Sequence, residues 1–480
     1  MGCTWFGRKV ITTNVSEINS GNVVEVLRKA LTTHATNKAD MEYLYGYYKG
    51  NQPILSRVKE VRPEINNKVV ENRANEIVSF KVGYLMGEPV QYVSRVDDEG
   101  IAKKISTLNS YVASEDKAAK DKELADWAHI CGTAYRMVLP DGEADVEEDE
   151  APFEIFTLDP RFAFVVRYNG LGYPVVMGVK YVVKGDGTAI YSCYTKDHYY
   201  EISDTWVILK SEEQVLGIPI VEYPLNNARL GAFEIVLPLL DAMNNVDSNR
   251  LDGVEQFIQA LMLFHNVDIT SKDYQELRAE GAIKFKDIDP QFKAEIEYLT
   301  AELNQTQTQT LIDHLYDTVL TICGMPNRNG GSSTSDTGSA VIMRDGWSAA
   351  EARAKDTELM FKKSEKEFLK LTLRICDDLS ELDLKMSSIE IRFTRRNYEN
   401  ITEKANVLVS MLNNPKIAPQ LAFTHCGMFS DPQIAWAMSK AYMEEQEKKV
   451  AETAKSKEGN GNEPGSQNSN QTDTGNGQND

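Results

Sequence analysis

The sequence has few cysteines and histidines, and neither type is clustered. Its six cysteines form no CxxC pair, and its six histidines are equally dispersed. Scattered cysteines favour free thiols over a disulfide framework, and this spacing offers no zinc ligand set. We therefore expect a reducing compartment, no metal site and no cofactor.

The chain also lacks long apolar runs and an excess of basic charge. No run approaches the roughly 18 apolar residues of a membrane span, and we expect neither membrane insertion nor secretion. The 72 acidic residues outnumber the 52 basic ones, for a net charge of −20. Because proteins that grip nucleic acid usually show a basic patch, this balance argues against tight DNA binding, though not against DNA passing nearby.

Catalytic motifs are missing as well. No phosphate-binding G-x-x-x-x-G-K-[ST] stretch occurs, and no Ser or Cys nucleophile has a readable partner. The acidic stretch Asp141–Glu150 fails as a calcium loop because Val146 and Pro152 occupy the positions that need Gly and Glu. We predict that the chain is not an enzyme. A metal-dependent nuclease or transferase at the acidic stretch is one alternative, and a helical scaffold protein is another.

What is present is a chain long enough for two to four domains, with 480 residues of which 42% are hydrophobic. Residues 1–20 are interpreted as a loose arm. Apolar residues spaced at helical intervals predict the next elements. The predicted helices are 22–34, 39–48, 66–86 and 114–129, with a short strand at 90–94.

From Thr133 the apolar pattern changes to alternate residues, which predicts strands. The predicted strands are 134–139, 153–157, 162–168, 175–183, 189–194, 198–202 and 205–209. Gly170 and Gly187 favour hairpin turns between strands, because glycine accepts positive φ. Residues 133–210 are therefore interpreted as an antiparallel β meander in an α+β domain.

Two helices then bracket a small insert. The first, Ala232–Phe264, combines an apolar stripe with a polar flank that holds four acidic residues, and the second is Gln305–Cys323. The acidic residues are Asp241, Asp247, Asp252 and Glu255. Between the helices, a helix at 274–279 and strands at 281–287 and 295–300 predict a compact cap on a helical stalk. In an isolated monomer the acidic flank is interpreted as solvated surface.

The chain is organised around the stretch that follows the second helix. Gly324 and Pro326 end that helix, and residues 327–338 are rich in Gly, Ser and Thr. The helical pattern resumes near Ser339 and lasts to about Leu382, long enough to span about 50 Å. A long helix preceded by a flexible loop is typical of a rod-like element with a movable segment at one end. A strand at 389–393, helices at 400–412 and 431–451, and a polar tail follow.

In this order of elements the chain resembles the portal proteins of tailed bacteriophages, in the branch typical of siphophages of Gram-positive hosts. Four stretches support the resemblance, and together they are specific. They are NNKVVENRANEIVSFKVGYLMGEPVQY at 66–92, DPRFAFVVRYNGLGYPVVMGVKYV at 159–182, GIPIVEYPLNNARLGAFEIVLPLLDAMNNVDSNRLDGVEQF at 217–257 and SDTGSAVIMRDGW at 335–347.

The resemblance implies a mainly helical α+β portal fold, with the antiparallel β meander in its wing. The implied parts are a wing at 21–230, stem helix 1 at 232–264, a clip at 265–304, stem helix 2 at 305–323, a tunnel loop at 325–338, a long wing helix with a return strand at 339–394, and a crown at 395–452. The N-terminal arm at 1–20 and a disordered tail at 453–480 lie outside the match.

The resemblance also implies a function. Such proteins form a ring, usually a dodecamer, at one capsid vertex of the virion, and assemble in the cytoplasm of the host bacterium. The ring would work with major capsid and scaffolding proteins, dock the terminase, pass double-stranded DNA during packaging and ejection, and hold a head-completion adaptor at the clip. The ATPase is the terminase, so the portal itself hydrolyses nothing.

Three sets of site residues follow as hypotheses. A channel needs weak, even contact with DNA, since a ring of many cations would hold the duplex too tightly. The acidic residues at 241, 247, 252 and 255 would make the channel wall negative. The DNA-contacting tunnel loop would use Asn327, Arg328, Asn329, Ser332, Ser333, Thr334 and Ser335. At the clip, Lys284, Lys286 and Glu297 would contact the terminase and the adaptor.

Overall fold

In the residues that the structure describes, the fold combines long helices with four antiparallel or mostly antiparallel sheets, as the α+β prediction requires. A computed structural model describes residues 7–96, 98–144, 150–258, 261–267, 270, 272, 275, 293, 295–299, 305–327, 346–380, 382–394, 401–429 and 432–458. These residues belong to two compact units, which divide between Tyr398 and Glu399.

The first long helix, α1, is Val23–Tyr48 and joins the two helices predicted at 22–34 and 39–48. The polar residues at the predicted break are buried and satisfied. Asn37 exchanges two 2.8 Å hydrogen bonds with the backbone of Lys9, and the His34 Nε2 atom lies 3.1 Å from the Arg161 carbonyl oxygen. Because these polar groups have partners inside the fold, the helix continues through them.

The helix predicted at 66–86 is shorter in the structure, where α2 is Arg73–Leu85. Residues 66–72 are extended instead. Strand β2, Gln91–Ser94, follows as predicted. Helix α3, Glu99–Ser114, was not predicted, whereas α4, Lys117–Cys131, matches the helix expected at 114–129.

The predicted meander is divided between two sheets. The strands are β1 Thr12–Thr13, β3 Thr133–Pro140, β4 Phe153–Leu158, β5 Ala163–Tyr168, β6 Val175–Val183, β7 Ala189–Tyr194, β8 His198–Ser203, β9 Ile208–Glu213 and β10 Ile220–Pro224. One sheet has the order β1-β5-β6-β7-β8-β9, and the other has the order β10-β3-β4. The unpredicted strand β10 pairs with β3, which is buried along most of its length and is therefore a central strand.

One predicted strand is displaced. The alternation over 205–209 placed a strand there, but Trp206 has a positive φ of 68° and lies in a turn. Positive φ is incompatible with a strand, so β9 begins only at Ile208.

The first of the two bracketing helices is also shorter than predicted. A 3₁₀ turn at Glu234–Val236 leads into α5, Leu237–Ile258. The predicted end at Phe264 is wrong because Leu261–His265 forms strand β11, paired with β12, Glu295–Leu299. The helix predicted at 274–279 and the strand predicted at 281–287 lie largely outside the described residues.

The second bracketing helix, α6, is Gln305–Cys323, as predicted. The long helix α7 is Trp347–Ser380, and β13, Ile389–Arg392, returns to pair with β2. The second unit has three helices in its described residues: α8 Ile401–Leu412, α9 Pro419–His425 and α10 Pro432–Glu458. Helix α10 extends past the predicted start of the disordered tail at 453.

The described residues of the first unit form three hydrophobic clusters. One surrounds α7 and includes the inner faces of β2, β3, β4, β10 and β13. A second joins α1, α2 and α4 to α5 and α6. The third lies between α1 and the six-stranded sheet. Because α1 and α4 each contribute to two clusters, they connect the sheets to the helix pair.

Candidate functional site

The helices α5 and α6 lie side by side and run in opposite directions. Near the end of α5, Arg250 donates a 2.7 Å hydrogen bond to Gln309 near the start of α6. At the other end, the Cys323 thiol lies 3.9 Å from the Ala232 carbonyl oxygen. At ~1.5 Å per residue each helix spans about 30 Å. The pair therefore ends at the paired strands β11 and β12 on one side and at the 324–346 connection on the other.

The extended residues 66–72 lie along α5 and are held by its polar side chains. Three α5 residues, spaced four apart, accept backbone N–H groups of alternate residues in the segment. The bonds are Asn67 N–H to Asp252 at 2.8 Å, Val69 N–H to Ser248 at 3.0 Å and Glu71 N–H to Asn244 at 2.8 Å. Four helical residues rise about 6 Å, close to the ~6.6 Å of two extended residues, so the two spacings match.

This polar ladder explains why the helix prediction over 66–86 was wrong in its first third. The N–H groups that a helix would pair internally are satisfied by α5 instead. Asn244 and Ser248 are fully buried, although their residue types are usually exposed. A polar residue at every fourth position of an otherwise amphipathic helix was the available sequence signal.

Asp252 is buried, whereas the acidic flank of this helix was predicted to be exposed. Its residue is 3% exposed, and its carboxylate accepts from Arg57 at 3.1 Å and Lys59 at 2.9 Å. Burial would raise the pKa of Asp252, but the Asn67 N–H and the Lys59 ammonium lower it below the ordinary value. Its charge is thus paired inside the chain and is not part of the exposed surface of α5.

The other three acidic residues of α5 are partly exposed. Burial raises the pKa of Asp241, against the hydrogen bond from the Tyr47 hydroxyl at 2.9 Å, which lowers it. Burial and the nearby Glu71 carboxylate raise the pKa of Asp247. Glu255 is half-buried. These side chains give α5 an acidic flank, in which burial disfavours the charged form of Asp241 and Asp247.

The connection between α6 and α7 begins and ends at neighbouring positions. Gly324, with φ of +65°, ends α6, and the Met325 N–H donates to the Leu320 carbonyl at 2.8 Å. A methyl group built on Gly346 would lie 3.7 Å from both the Met325 carbonyl oxygen and the Pro326 Cα. The residues that flank 328–345 on either side therefore lie next to each other.

An aromatic cluster on α2 holds the returning end. The rings of Phe80 and Tyr84 stack at 5.9 Å, and the Trp347 ring lies 6.0 Å from each. The Tyr84 hydroxyl also donates to Glu351 at 2.8 Å. Offset and tilted aromatic pairs contribute about 0.5–1.5 kcal/mol each beyond burial. The start of α7 is therefore fixed to α2.

The departing end is fixed to the same helix. The Lys81 ammonium donates to the Cys323 carbonyl at 2.7 Å, where the last carbonyls of α6 would otherwise lack partners. Further along α6, the Tyr316 hydroxyl donates to Glu76 at 2.9 Å. Helix α2 thus sets the positions of both ends of the 328–345 segment.

A buried charge network fixes α7 to the sheets. Glu365 is fully buried and accepts from Lys117 at 2.7 Å and from the Tyr92 and Tyr223 hydroxyls at 2.6 and 2.7 Å. Arg136 lies 3.4 Å from Glu365, and both cations also pair with Asp121. Burial alone would raise the pKa of Glu365, but the two cations lower it to about 2.

Most of the predicted tunnel-loop residues lie outside the described residues: Arg328, Asn329, Ser332, Ser333, Thr334 and Ser335. Asn327 is described, and its side-chain amide donates to Asp317 at 2.9 Å. At the predicted clip, Lys284 and Lys286 are also outside the described part. Glu297 lies in β12, opposite Leu263 of β11.

Among the described residues, no cluster of three potential metal ligands occurs, and no helix is long and apolar enough to cross a membrane. The five described cysteines are free and buried. Burial raises the pKa of the Cys376 thiol to about 12, which disfavours the reactive thiolate.

Comparison with known proteins gives one family. Residues 27–459 match the family described as Phage portal protein, SPP1 Gp6-like. A search of curated proteins gave no match. The matched range includes both helices of the pair, the 324–346 connection and α7.

Proposed function

The chain belongs to the SPP1 Gp6-like phage portal protein family, and from this premise we propose that its copies form a ring around a channel for double-stranded DNA. A portal is a capsid component used in DNA packaging. The observation that best supports the proposal is the match over residues 27–459 together with the antiparallel α5–α6 pair inside it. We propose a dodecamer at one vertex of the capsid.

In this proposal, the α5–α6 pair is the stem. The paired strands β11 and β12 at one end of the pair belong to the clip, and the 328–345 segment at the other end belongs to the tunnel loop. Helix α2 fixes both ends of that segment, which supports its role as a loop supported by a rigid base. Functional loops positioned by rigid scaffolds are common.

The DNA contacts are proposed for Asn327, Arg328, Asn329 and the serines and threonine at 332–335. This set has one cationic side chain, so each subunit would add little to the affinity of the ring for DNA. A protein that neutralises ~6–10 phosphates binds with strong salt dependence, and a ring of many cations would reach that number at once. Asp241, Asp247 and Glu255 are proposed for the channel wall, and Asp252 is excluded because it is buried and paired.

The clip is the proposed contact with partner proteins. Lys284, Lys286 and Glu297 would meet the terminase and later a head-completion adaptor, while other surfaces would meet major capsid and scaffolding proteins. The terminase would supply the ATPase, and the portal would hydrolyse nothing. Assembly would take place in the cytoplasm of the host bacterium.

Electron microscopy of the purified full-length protein tests the ring. Negatively stained particles should be rings with a central hole. Rods would favour a helical scaffold, and globular particles that remain single subunits under every assembly condition would contradict the proposal.

A deletion of residues 328–334 tests the tunnel loop. Rings should form normally, because both ends of the segment are held by α2, while DNA packaging should fail. A second variant, with a Gly-Ser sequence of the same length, separates the effect of the side chains from that of loop length. Normal packaging by the deletion variant would refute the loop's role.

Charge reversal tests the clip. Lys284→Glu, Lys286→Glu and Glu297→Lys should reduce terminase docking in a pull-down assay while rings still form. Unchanged docking by the triple variant would refute this assignment.

A further inference from the structure

Strand β9 leaves one edge of the six-stranded sheet open. The Gln214 N–H donates to the Asp197 carbonyl, and the β8–β9 register pairs Glu212 with Tyr199. Because hydrogen-bonded pairs alternate in an antiparallel ladder, the backbone groups of Ser211 and Glu213 point away from β8. No described residue pairs with this outer edge.

One apolar side chain in β9 and another just past the strand are exposed. Leu209 is 55% exposed and Val215, just past the strand, is 77% exposed. Its end is acidic: Glu212 pairs with Lys210 at 2.9 Å, and Glu213 is exposed. An exposed edge strand with apolar side chains is a template for pairing with another chain.

Strand β13 has a second open edge, at the floor of a groove. The Arg95 N–H donates to the Ser388 carbonyl, and β13 pairs with β2 in the same register. The same alternation turns the Ile391 N–H and carbonyl away from β2. Ile391 is only 4% exposed, and no described residue satisfies these two groups, which is unusual for buried backbone.

The groove beside β13 is basic. It has a volume of about 360 Å³ and is lined by Arg95, Lys362, Lys366 and Glu390 together with parts of β13 and the turn before it. Lys362 pairs with Glu358 at 2.6 Å. In the part of the chain that the structure describes, neither Arg95 nor Lys366 has an acidic partner. The groove is thus a local excess of positive charge on a chain with net charge −20.

We propose that the β9 edge of one copy enters the β13 groove of a second copy and extends the β2–β13 sheet. The acidic end of β9 complements the basic groove, and its outward backbone groups supply partners for those of Ile391. The inference rests on the proposed ring. A contact between two different patches of identical chains is heterologous, and repetition of such a contact closes a ring when the rotation allows. Recognition by strand addition gives affinity through backbone bonds and specificity through side chains.

A charge exchange tests the pairing. Glu213→Lys and Lys366→Glu, each alone, should raise the protein concentration needed for half-maximal ring formation about ten-fold, measured by mass photometry. The double variant should restore it, because the charges are exchanged and not removed. Lys370→Glu is the matched control: it lies one turn further along α7, outside the groove and paired with Glu367, and should leave assembly unchanged.

A backbone variant tests strand addition itself. Ser211→Pro removes an N–H group that points away from β8, so the β8–β9 ladder keeps its bonds, and proline is tolerated at such edge positions. Thermal unfolding of the monomer should be unchanged while ring formation is lost. Ring formation at the wild-type concentration would overturn the inference.

Cross-linking identifies the two surfaces directly. In the variant Ser211→Cys/Ser387→Cys, a short bismaleimide should give a ladder of covalent oligomers, because both serines are exposed and the described native cysteines are buried. Each single variant should give no ladder. Wild-type rings without a ladder in the double variant overturn this contact alone, whereas the absence of rings from the wild type overturns the proposed function.

Discussion

Replacing Glu365 with glutamine tests how the long helix α7 is held. The carboxylate is fully buried among two cations and two tyrosine hydroxyls. Glutamine keeps an oxygen that can accept from the hydroxyls. It removes the negative charge, however, and leaves Lys117 and Arg136 with Asp121 alone.

Two independent considerations give the same magnitude. The pKa of Glu365 falls from 4.5 to about 2, and at ~1.4 kcal/mol per unit this amounts to about 3 kcal/mol of folding free energy. Removing one partner from a buried charge pair typically costs ~3–5 kcal/mol, because a buried charge loses its compensation. We expect the free energy of unfolding to fall by about 3 kcal/mol.

The pH dependence has a definite sign. A carboxyl group with a lowered pKa in the folded state stabilises the fold fully above its ordinary value of 4.5, and this contribution is lost as the pH falls toward about 2. The difference in stability between the wild type and Glu365→Gln should therefore be constant at neutral pH and shrink over that window.

Urea unfolding, followed by tryptophan fluorescence at one fixed protein concentration, is the suitable measurement, because ring assembly would itself add to the apparent stability. Glu367→Gln is the matched control. Its pair with Lys370 is exposed on both sides, and such surface pairs contribute about 0–1 kcal/mol. A loss at Glu365 no larger than the loss at Glu367 would refute the reasoning.

Three further predictions concern the helix pair and its supports. Asp252→Asn should cost about 1–3 kcal/mol and expose residues 57–67 to limited proteolysis, whereas Glu255→Gln should do neither. Trp347→Ala should cost about 1–3 kcal/mol from two aromatic contacts and speed hydrogen exchange at the Met325 N–H; unchanged exchange would contradict the role of the cluster. Gly132→Ala should cost more than about 4 kcal/mol and lower soluble yield, because its φ is +81° and a Cβ would lie 2.0 Å from a backbone oxygen; a normal melting temperature would refute it.

Elements whose pattern is set by their own residues were predicted well. Helix α6 and strands β6 and β7 have the predicted bounds, and the family resemblance is confirmed by the match over residues 27–459. Elements decided by distant partners were not. Residues 66–72 are extended because α5 accepts their N–H groups, and the apolar run after Ile258 is a strand because β12 pairs with it.

The candidate site was likewise predicted only in the features that depend on local sequence. The acidic residues of α5 were visible in the sequence, but their surroundings were not, and Asp252 proved to be buried by Arg57 and Lys59. The aromatic cluster that includes Trp347 and the network around Glu365 were missed, since each brings together residues far apart in the chain. The predicted DNA contacts at 328–335 remain predictions.

Sequence alone therefore determined the periodicity of each long element, the break between α6 and α7, and the family, because these depend on residue type and order along the chain. Only the tertiary structure decided which polar side chains are buried, which N–H groups α5 accepts, and which strand edges stay open. Those outcomes depend on contacts between segments distant in sequence. The local sequence pattern does not identify which distant group will be the contact partner.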